Sequence, residues 1–343
     1  MRGARGKGVV RERMSMHHKY SLKGEPVPVA LEDIDETPGP YTMSFGFDSD
    51  KMVTSMEKAG IIHPPLIERL PDGKAEVIAG YRRIQGARHL GWKQVPCFDL
   101  TDRELSSLEK LLLGLYDNLA TRAFNDVEKG MVLERLNNHV SRKEILADYM
   151  PLLGLPSHEP TLDIFLRIKE LEIPARLAIA HERVSFKTTH SLLNMDLESR
   201  SSVLEWLFDL MFNFNQQNQF IEYINDISIS EDRGIYDVLS DEKLLEVRLN
   251  ESLNKPQKAK RTLELLRARR FPNLSRAETS FNEMIHSAGL PDGVFVRHSP
   301  FFEGPDYRLE IRFRDGKSLK TMIDQVSNLK GLQNLGDPWK EQT

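Results

Sequence analysis

The sequence predicts an α+β protein with an N-terminal α/β domain, a central all-helical domain and a small C-terminal strand–strand–helix module. Short apolar runs separated by turn residues fill roughly the first hundred positions, as in strands and short helices. From Thr101 onward apolar residues recur at helical spacing, and alternation returns only near the end. The 343 residues suit two or three domains. We expect a disordered basic tail at 1–24, an α/β domain at 25–105, a helical domain at 106–250, a basic helical linker at 251–290 and a C-terminal module at 291–343.

The α/β domain is predicted to alternate strands and helices. Gly60 ends its first helix, because glycine readily adopts the left-handed conformation there. Pro71-Asp72-Gly73 turns a hairpin, since proline presets φ and glycine tolerates positive φ. The expected elements are strands at 27–31, 66–69, 75–78 and 94–98 and helices at 49–59 and 81–90.

The junction Ala79-Gly80-Tyr81-Arg82-Arg83, between the hairpin and the next helix, carries the clearest functional signal. Glycine there leaves room for an anion at the helix N-terminus, where free N–H groups and the positive end of the dipole point. Arg82 and Arg83 add bidentate donors suited to phosphate. The alternative is a surface helix whose arginines pair with carboxylates.

The middle of the chain is predicted to be helical, starting with a helix at 102–115. Capping boxes are expected at Asn125-x-x-Glu128 and Ser141-x-x-Glu144. A long helix is expected at 241–270, kinked or interrupted at Pro256 and ended by Phe271-Pro272. Ser275-x-x-Glu278 is expected to cap the following helix. The segment 198–214 contributes aromatic and apolar side chains that we expect in the core: Trp206, Phe208, Met211 and Phe212.

The C-terminal module is predicted to be strands at 294–297 and 308–314, a turn at Asp315-Gly316 and a helix at 319–329. So small a unit buries little apolar surface by itself and leaves a strand edge exposed. We therefore expect residues 292–330 to form a homodimer interface. The alternative is that the module packs on its own chain.

Charge is unevenly distributed along the chain. Residues 1–24 carry seven Lys/Arg against Glu12, and residues 255–276 carry eight against Glu264. These two segments together carry a charge of +13. Because the net charge of the chain is −4, the remaining residues carry −17. This asymmetry indicates a polyanionic partner, unless the segments are only a solubilising tail and a solvated helix face.

Several classes of protein are excluded by the sequence. No apolar run has the length of a membrane span, and the basic N-terminus lacks the apolar region of a secretory signal. The lone Cys97 rules out an internal disulfide framework and fits a reducing cytoplasm. The histidines show no metal-ligand spacing.

Several further motifs stand in order around Gly80: Gly60-Ile61-Ile62-His63-Pro64, then Ala79-Gly80-Tyr81-Arg82-Arg83, Val95-Pro96, Asp117-Asn118-Leu119 and Asn125-Asp126-Val127-Glu128. In order and spacing, over roughly residues 25–130, they resemble the ParB partition-protein family. The resemblance implies that a ParB/sulfiredoxin-like fold binds cytidine triphosphate (CTP) and Mg²⁺. The implied nucleotide-binding residues are His63, Gly80, Tyr81, Arg82, Arg83, Asn118 and Arg122, and the implied metal ligands are Asp117 and Asn118.

Three departures from the family pattern bear on catalysis. Tyr81 replaces a glutamate, and Asp117 replaces another and is one methylene shorter. Ala120-Thr121 stands where the family has Gln-Arg, so Arg122 comes one position late and, at about 100° per helical residue, is expected to face elsewhere. Phosphate binding is expected to persist, while hydrolysis is expected to be slow or absent, leaving a weak CTPase at most.

A second segment, 152–193, resembles the KorB-like helix-turn-helix region of ParB proteins through Phe165-Leu166-Arg167 and Leu171-Glu172-Ile173-Pro174. Short polar and basic side chains on a recognition helix contact base edges and phosphates. The candidates are Ser157, His158, Thr161, Arg167 and Lys169, with Lys258, Lys260 and Arg261 of the basic run as phosphate contacts. The alternative is a helical module kept for packing or for a protein partner.

The resemblance implies a nucleotide-gated, DNA-binding homodimer that acts at the nucleoid in chromosome or plasmid partition, with a ParA-type ATPase as a further partner. Two alternatives stay open, a transcriptional or nucleoid regulator of the same fold and a small-molecule kinase on the ParB scaffold. Thiol chemistry of the sulfiredoxin type is rejected, because Tyr81 occupies the position of the reactive cysteine. A two-metal nuclease needs clustered carboxylates, and the sequence offers no such cluster.

Overall fold

The computed structural model describes residues 24–304 and 306–339. The predicted disordered tail therefore lies outside the described residues, apart from Gly24. The described residues divide into two compact units between Asn194 and Met195. The domain boundaries expected from the sequence stay predictions.

The predicted α+β class is confirmed, since strands and helices alternate near the start, helices fill the middle and a strand pair with a helix follows. The helix expected at 102–115 instead runs from Ser107 to Thr121, because Ser106 caps its start. The strands and helices of the α/β domain lie within one residue of their expected positions. They are β1 (Val27–Ala30), α1 (Asp50–Ala59), β2 (Leu66–Arg69), β3 (Ala75–Ala79), α2 (Tyr81–His89) and β4 (Gln94–Asp99).

The four strands form one sheet in the order β1-β4-β2-β3. The β2–β3 hairpin is antiparallel, β4 lies parallel to β2, and β1 is antiparallel to β4. Apolar side chains from the sheet, including Ile67 and Val95, pack with Met56 of α1 and Ile84 of α2. This packing holds the end of β3 and the start of α2 at one edge of the domain.

Helices complete the first unit. They are α3 (Ser107–Thr121), α4 (Asp126–Leu136), α6 (Glu159–Arg167), α7 (Ile173–Ala180) and α8 (Phe186–Leu193). Between α4 and α6, the segments Arg142–Glu144, Ile145–Tyr149 and Met150–Leu152 form a single stretch, α5. Its middle segment is π-helical, with the Met150 N–H bonded to Ile145 O. The predicted capping boxes that start α4 and α5 are both present.

The second unit is mainly helical. It contains α9 (Leu197–Leu210), α10 (Phe214–Glu231), α11 (Ile235–Leu239), α12 (Glu242–Leu249), α13 (Lys255–Arg270) and α14 (Pro272–Ala288).

The helical stretch expected at 241–270 is interrupted, as predicted, but the break comes just before Pro256: the chain leaves α12 after Leu249, and Asn254 caps a new helix in which Pro256 occupies the first turn. Proline is tolerated there because the first N–H groups lack intrahelical acceptors. Two other predictions for this unit are wrong. Ser275 caps nothing, since α14 already begins at Pro272. Met211 is exposed, because it leaves α9 in a left-handed conformation.

The C-terminal module consists of the antiparallel strands β5 (Val294–His298) and β6 (Tyr307–Ile311) and the helix α15 (Gly316–Ser327). One face of the hairpin packs on its own chain, where the Tyr307 ring stacks 5.4 Å from that of Phe281 on α14. Five other large apolar side chains are exposed among the module's described residues: Phe301, Leu309, Phe313, Ile323 and Trp339. The homodimer interface stays a prediction.

Within the described residues, no helix combines the length and apolar character needed to cross a membrane. The same part of the chain has no group of three or more His, Cys, Asp or Glu side chains arranged to hold a metal ion.

Candidate functional site

A pocket of about 320 Å³ opens where β3 ends and α2 begins. The ends of α2 and α3 form two of its sides, and an irregular segment, residues 41–47, which we call the strap, forms another. The sequence-predicted residues that line this pocket are His63, Gly80, Tyr81, Arg82, Arg83, Asp117, Asn118 and Arg122. The structure thus brings together every side chain of the first predicted site.

Gly80 shapes the entrance to helix α2. Its φ of +91° is left-handed, and a Cβ at this position would lie 2.9 Å from Pro65 Cα. Both constraints require glycine. Helix geometry leaves the first N–H groups of α2 without intrahelical acceptors, so they are available to an anion in the pocket.

Arg82 and Arg122 share the carboxylate of Glu128 on α4. Arg82 Nη2 donates to Glu128 Oε1 at 2.6 Å, and Arg122 Nη1 donates to Glu128 Oε2 at 2.6 Å. The Glu128 side chain is 1% exposed, against 24% for Arg82 and 15% for Arg122. Two guanidinium groups face one buried carboxylate, which leaves an excess positive charge beside the start of α2.

The sequence predicts that Arg122 faces away from the pocket, and this prediction is wrong. Helix α3 ends at Thr121, and Arg122 has an extended backbone with φ −159° and ψ 163°. The rotation of 100° per residue therefore does not apply to it. Its side chain turns back to Asn118, whose Oδ1 accepts from Arg122 Nε at 2.8 Å. Burial lowers the pKa of Arg122, while Glu128 opposes that shift.

Arg83, Asp117 and His63 form a second group in the pocket. Arg83 donates to the carbonyl oxygen of His63 at 2.8 Å and approaches Asp117 Oδ2 at 3.5 Å. Asp117 is partly exposed, and a carboxylate beside a triphosphate suits Mg²⁺. The Asn118 amide suits it less, because its oxygen accepts from Arg122 and its nitrogen donates to Gly114 O.

Tyr81 and Cys97 lack the properties of reactive groups. Burial raises the pKa of the Tyr81 phenol above its ordinary value, so it stays protonated at neutral pH. Burial raises the pKa of the Cys97 thiol to about 12, and its side chain lies in the core under the sheet. A thiol with such a pKa is inert.

Sequence reasoning missed the central carboxylate and the strap. The sequence predicts Glu128 only as the last residue of the Asn125-x-x-Glu128 capping box. That motif is the one sequence signal that could have directed attention to this carboxylate. In the strap, Ser44 Oγ accepts from Arg82 Nε at 3.3 Å, and Met43 O accepts from Arg122 Nη2 at 2.5 Å. The irregular strap has no periodicity by which sequence could place it.

The predicted DNA-contacting residues of the first unit separate into two groups. Ser157, His158 and Thr161 lie at the N-terminal end of α6, where the His158 ring approaches the Thr161 hydroxyl at 3.3 Å. Arg167 instead donates to Leu193 O at 2.7 Å, and Lys169 pairs with Glu134 at 2.9 Å. Only the first group is available for contact without breaking these bonds.

Helix α6 also carries acidic side chains, whose charge is partly neutralised. Glu159 and Asp163 each accept from Arg142 of α5 at 2.6 Å. These pairs are exposed, so they contribute little to stability. They nevertheless place a cation beside the two carboxylates on this helix.

The basic residues of helix α13 differ in their environment. Lys260 and Arg261 are 78% and 62% exposed and only loosely paired with Glu264. Lys258 donates to Arg248 O at 2.8 Å. The arginines nearer the helix end bind carboxylates of the same unit: Arg267 binds Glu278, Arg269 binds Glu231, and Arg270 binds Glu222 and Asp226.

These features define a class of domain, a small α/β fold with an arginine-lined pocket at a strand-to-helix junction. Residues 21–119 match the family model of the ParB N-terminal domain. The resemblance to the ParB family that the sequence predicted is thereby confirmed, with this domain as its basis.

The similar proteins include chromosome-partitioning proteins and nucleoid occlusion proteins. Over 211 residues the chain is 23% identical to the probable chromosome-partitioning protein ParB of Vibrio cholerae serotype O1, covering 61% of this chain and 69% of that protein. Over 177 residues it is 27% identical to the nucleoid occlusion protein of Geobacillus sp. strain WCH70, covering 50% of this chain and 59% of that protein.

Two solved structures are also similar, both of C-terminally truncated ParB from Caulobacter crescentus. The complex with CTP-γ-S is 20% identical with a TM-score of 0.26, and covers 50% of this chain and 93% of that chain. The complex with the centromeric parS site is 16% identical with a TM-score of 0.31, and covers 56% and 96%.

Proposed function

We propose that this chain is a ParB-like DNA-binding protein whose N-terminal pocket binds a nucleoside triphosphate, CTP, together with Mg²⁺. The observation that carries the proposal is the cluster of Arg82, Arg83 and Arg122 at the N-terminus of helix α2. The motifs shared with ParB proteins and the match to their N-terminal domain favour CTP over other anions.

The chain's own residues suggest how the phosphates would be held. The left-handed Gly80 brings the backbone close to the ligand, and the free N–H groups at the helix start can donate hydrogen bonds to an anionic phosphate. Arg82 and Arg122 are already ordered by Glu128, so little side-chain entropy is lost when they engage a phosphate. Asp117 would supply a carboxylate oxygen to Mg²⁺.

Hydrolysis is expected to be slow or absent. A general base must accept a proton near neutral pH, and Tyr81 is a protonated phenol there. The buried carboxylate of Glu128 is occupied by two guanidinium groups and is equally unsuited to the task. The pocket therefore favours a ligand-sensing role over rapid turnover.

DNA is the proposed polyanionic partner. We expect Ser157, His158 and Thr161, at the start of helix α6, to contact it, while the exposed charges of Lys260 and Arg261 support phosphate contacts. We propose that the protein acts in chromosome or plasmid partition as a homodimer, joined through its C-terminal module, with a ParA-type ATPase as partner.

A second candidate function is nucleoid occlusion or a related regulatory role on DNA. The observation that favours it is the similarity to nucleoid occlusion proteins, one of which is 27% identical over 177 residues. Both functions use the same pocket and the same DNA surface. A small-molecule kinase would need an activated base in the pocket, and neither Tyr81 nor Glu128 suits that role.

Calorimetry with each nucleoside triphosphate and Mg²⁺, with and without DNA, tests the proposal. We expect CTP to bind, and Arg82→Ala to weaken binding by about 1.5–3 kcal/mol, the range for a charge-assisted hydrogen bond. Arg88→Ala is the matched control, because Arg88 lies on the same helix and binds the backbone at Ile34. Absence of heat with every nucleotide, even with DNA present, would refute the proposal.

A further inference from the structure

The first unit contains a second cavity, which shares Tyr81 and Val77 with the arginine-lined pocket. Its volume is about 250 Å³. Small-molecule sites usually measure roughly 300–1,000 Å³, so this cavity suits a small ligand. Its lining combines apolar side chains, such as Leu70 and Val77, with the charged groups of Asp35, Lys74 and Glu76.

The carboxylate of Glu76 lacks a cation. Strands β2 and β3 place Glu68 directly opposite Glu76, and like charges in such a pair repel. Lys110 of α3 pairs with Glu68, and within the described part of the chain no ion pair or hydrogen bond reaches Glu76. Burial raises the pKa of Glu76, the charge of Glu68 adds to this shift, and Lys110 opposes it only in part. A cation in the cavity would stabilise the charged form of this side chain.

The segment that follows β1 adds further negative charge near the cavity. Four carboxylates stand within five residues, and none forms an ion pair with a described residue: Glu32, Asp33, Asp35 and Glu36. Of these, Asp35 lines the cavity, and its Oδ1 accepts from the Thr37 N–H at 3.2 Å and from the Thr37 hydroxyl at 3.0 Å. These hydrogen bonds lower the pKa of Asp35, so it is ionised at neutral pH. Among the described lining residues, the carboxylates of Asp35 and Glu76 therefore outnumber the single ammonium of Lys74.

This lining suits an organic cation better than a metal ion. Ca²⁺ takes about six to eight oxygen ligands, and Mg²⁺ demands near-octahedral geometry. The described residues hold no group of three or more side chains arranged for a metal ion. An ammonium ion needs only a few acceptors, and it is attracted to the face of an aromatic ring. Tyr81 supplies such a ring at the point where the sequence departs from the ParB pattern of a glutamate.

We propose that this cavity binds a small organic cation, an alkyl ammonium or guanidinium ion, with Glu76 and Asp35 as acceptors and Tyr81 as its aromatic wall. The inference goes beyond the proposed nucleotide binding and does not rest on it, because the arginines of the first pocket take no part. Residues 1–24 of this chain carry the same chemistry in seven Lys and Arg side chains. The test therefore separates a free ligand from this segment.

Calorimetry on the full chain, without nucleotide or DNA, tests the proposal. The probe is putrescine, a four-carbon chain with an ammonium group at each end. The control ligand is butanediol with a hydroxyl at each end, which has the same length and no charge. We expect putrescine to bind and the diol to give no heat of binding, because the carboxylates recognise the charge.

Variants of the lining locate the binding. Glu76→Gln should weaken the affinity for putrescine about tenfold or more, the effect of one charge-assisted hydrogen bond. Glu36→Gln is the matched control, because Glu36 belongs to the same acidic segment but lies outside the lining. Its affinity should stay within about twofold of the wild type, since salt screens exposed charges. Tyr81→Leu should weaken binding by about two- to fivefold, while Tyr81→Phe, which keeps the ring, should bind like the wild type.

A further full-chain variant identifies the source of the cation. In it, the seven Lys and Arg residues of 1–24 are replaced by Gln. An affinity for putrescine equal to that of the wild type assigns the cavity to a free ligand. A tighter affinity shows that residues 1–24 compete for the cavity in the wild type, which assigns it to the same chemistry supplied by the chain itself.

Three results would overturn the inference. One is an absence of putrescine binding in both the wild type and the variant of residues 1–24. Another is equal binding of the diol. The third is a wild-type affinity in Glu76→Gln or, if that variant does not fold, in Tyr81→Leu. Failure of the chain to bind CTP leaves all of these measurements unchanged, so it refutes the proposed function alone.

Discussion

Replacing Glu128 by glutamine tests the centre of the pocket. Glutamine keeps the shape of the side chain and its capping acceptor, but it removes the charge that faces Arg82 and Arg122. Breaking a buried ion pair costs about 3–5 kcal/mol. Both guanidinium groups retain some contact with solvent, at 24% and 15% exposure, so we expect the low end, about 3 kcal/mol.

Hydrogen exchange of the amides in α4 measures this cost locally, which suits a chain with more than one unit. A loss of about 3 kcal/mol corresponds to roughly a hundredfold faster exchange, since every 1.4 kcal/mol is tenfold. CTP should restore more protection to Glu128→Gln than it adds to the wild type, because phosphate replaces the missing negative charge.

Glu134→Gln is the matched control on the same helix. Its carboxylate is 35% exposed and pairs with the exposed Lys169. Surface pairs of this kind contribute about 0–1 kcal/mol. If the two variants slow or speed exchange equally, the reasoning about the buried carboxylate is refuted.

Three further predictions concern catalysis, DNA and assembly. Tyr81→Glu should raise CTP turnover, measured by phosphate release, because it supplies a carboxylate where the wild type has a protonated phenol. Log affinity for DNA falls with log salt concentration. Neutralising Lys258, Lys260 and Arg261 together should make this slope shallower by roughly two to three units. A chain ending at Ser287 should be monomeric in light scattering where the full chain is dimeric, since it lacks the C-terminal module.

Each of these has an outcome that contradicts it. A wild-type turnover at or above that of the Tyr81 variant removes the argument from the missing base. An unchanged salt slope would make Lys260 and Arg261 part of a solvated helix face, and neutralising Arg267, Arg269 and Arg270, whose charges are paired within the fold, is the comparison variant. An unchanged oligomeric state after truncation places the dimer contact elsewhere.

Much of the N-terminal domain could be predicted because its signals are local. Leu66–Arg69 was expected as a strand and is one, since alternating residues and a Pro-Asp-Gly turn specify a hairpin without help from distant contacts. Gly80 was expected at a strand-to-helix junction for the same reason. The Asn125–Glu128 capping box is also a pattern within four residues.

What sequence could not provide depended on long-range contacts or on single residues at helix ends. The capping box already explains a glutamate at position 128. The sequence around it therefore gave no reason to predict that Glu128 also binds Arg82 and Arg122. Arg122 was misjudged because helix boundaries are uncertain by one or two residues. The charge of α13 was overestimated because Arg269 pairs with Glu231, 38 residues earlier in the chain.

The π-helical turn at Ile145–Tyr149 has a consequence for how this chain is aligned with others. Its hydrogen bonds close over five residues, so it holds one more residue than an α-helical turn. A difference of one residue in length between this chain and a relative can therefore lie inside α5, with both flanking loops unchanged. A gap placed at the end of the following loop, after His158, would instead shift every residue from the π-helical turn through Ser157 and His158 by one position. Roles assigned by alignment to Ser157 and His158 therefore depend on putting the extra residue where the backbone widens.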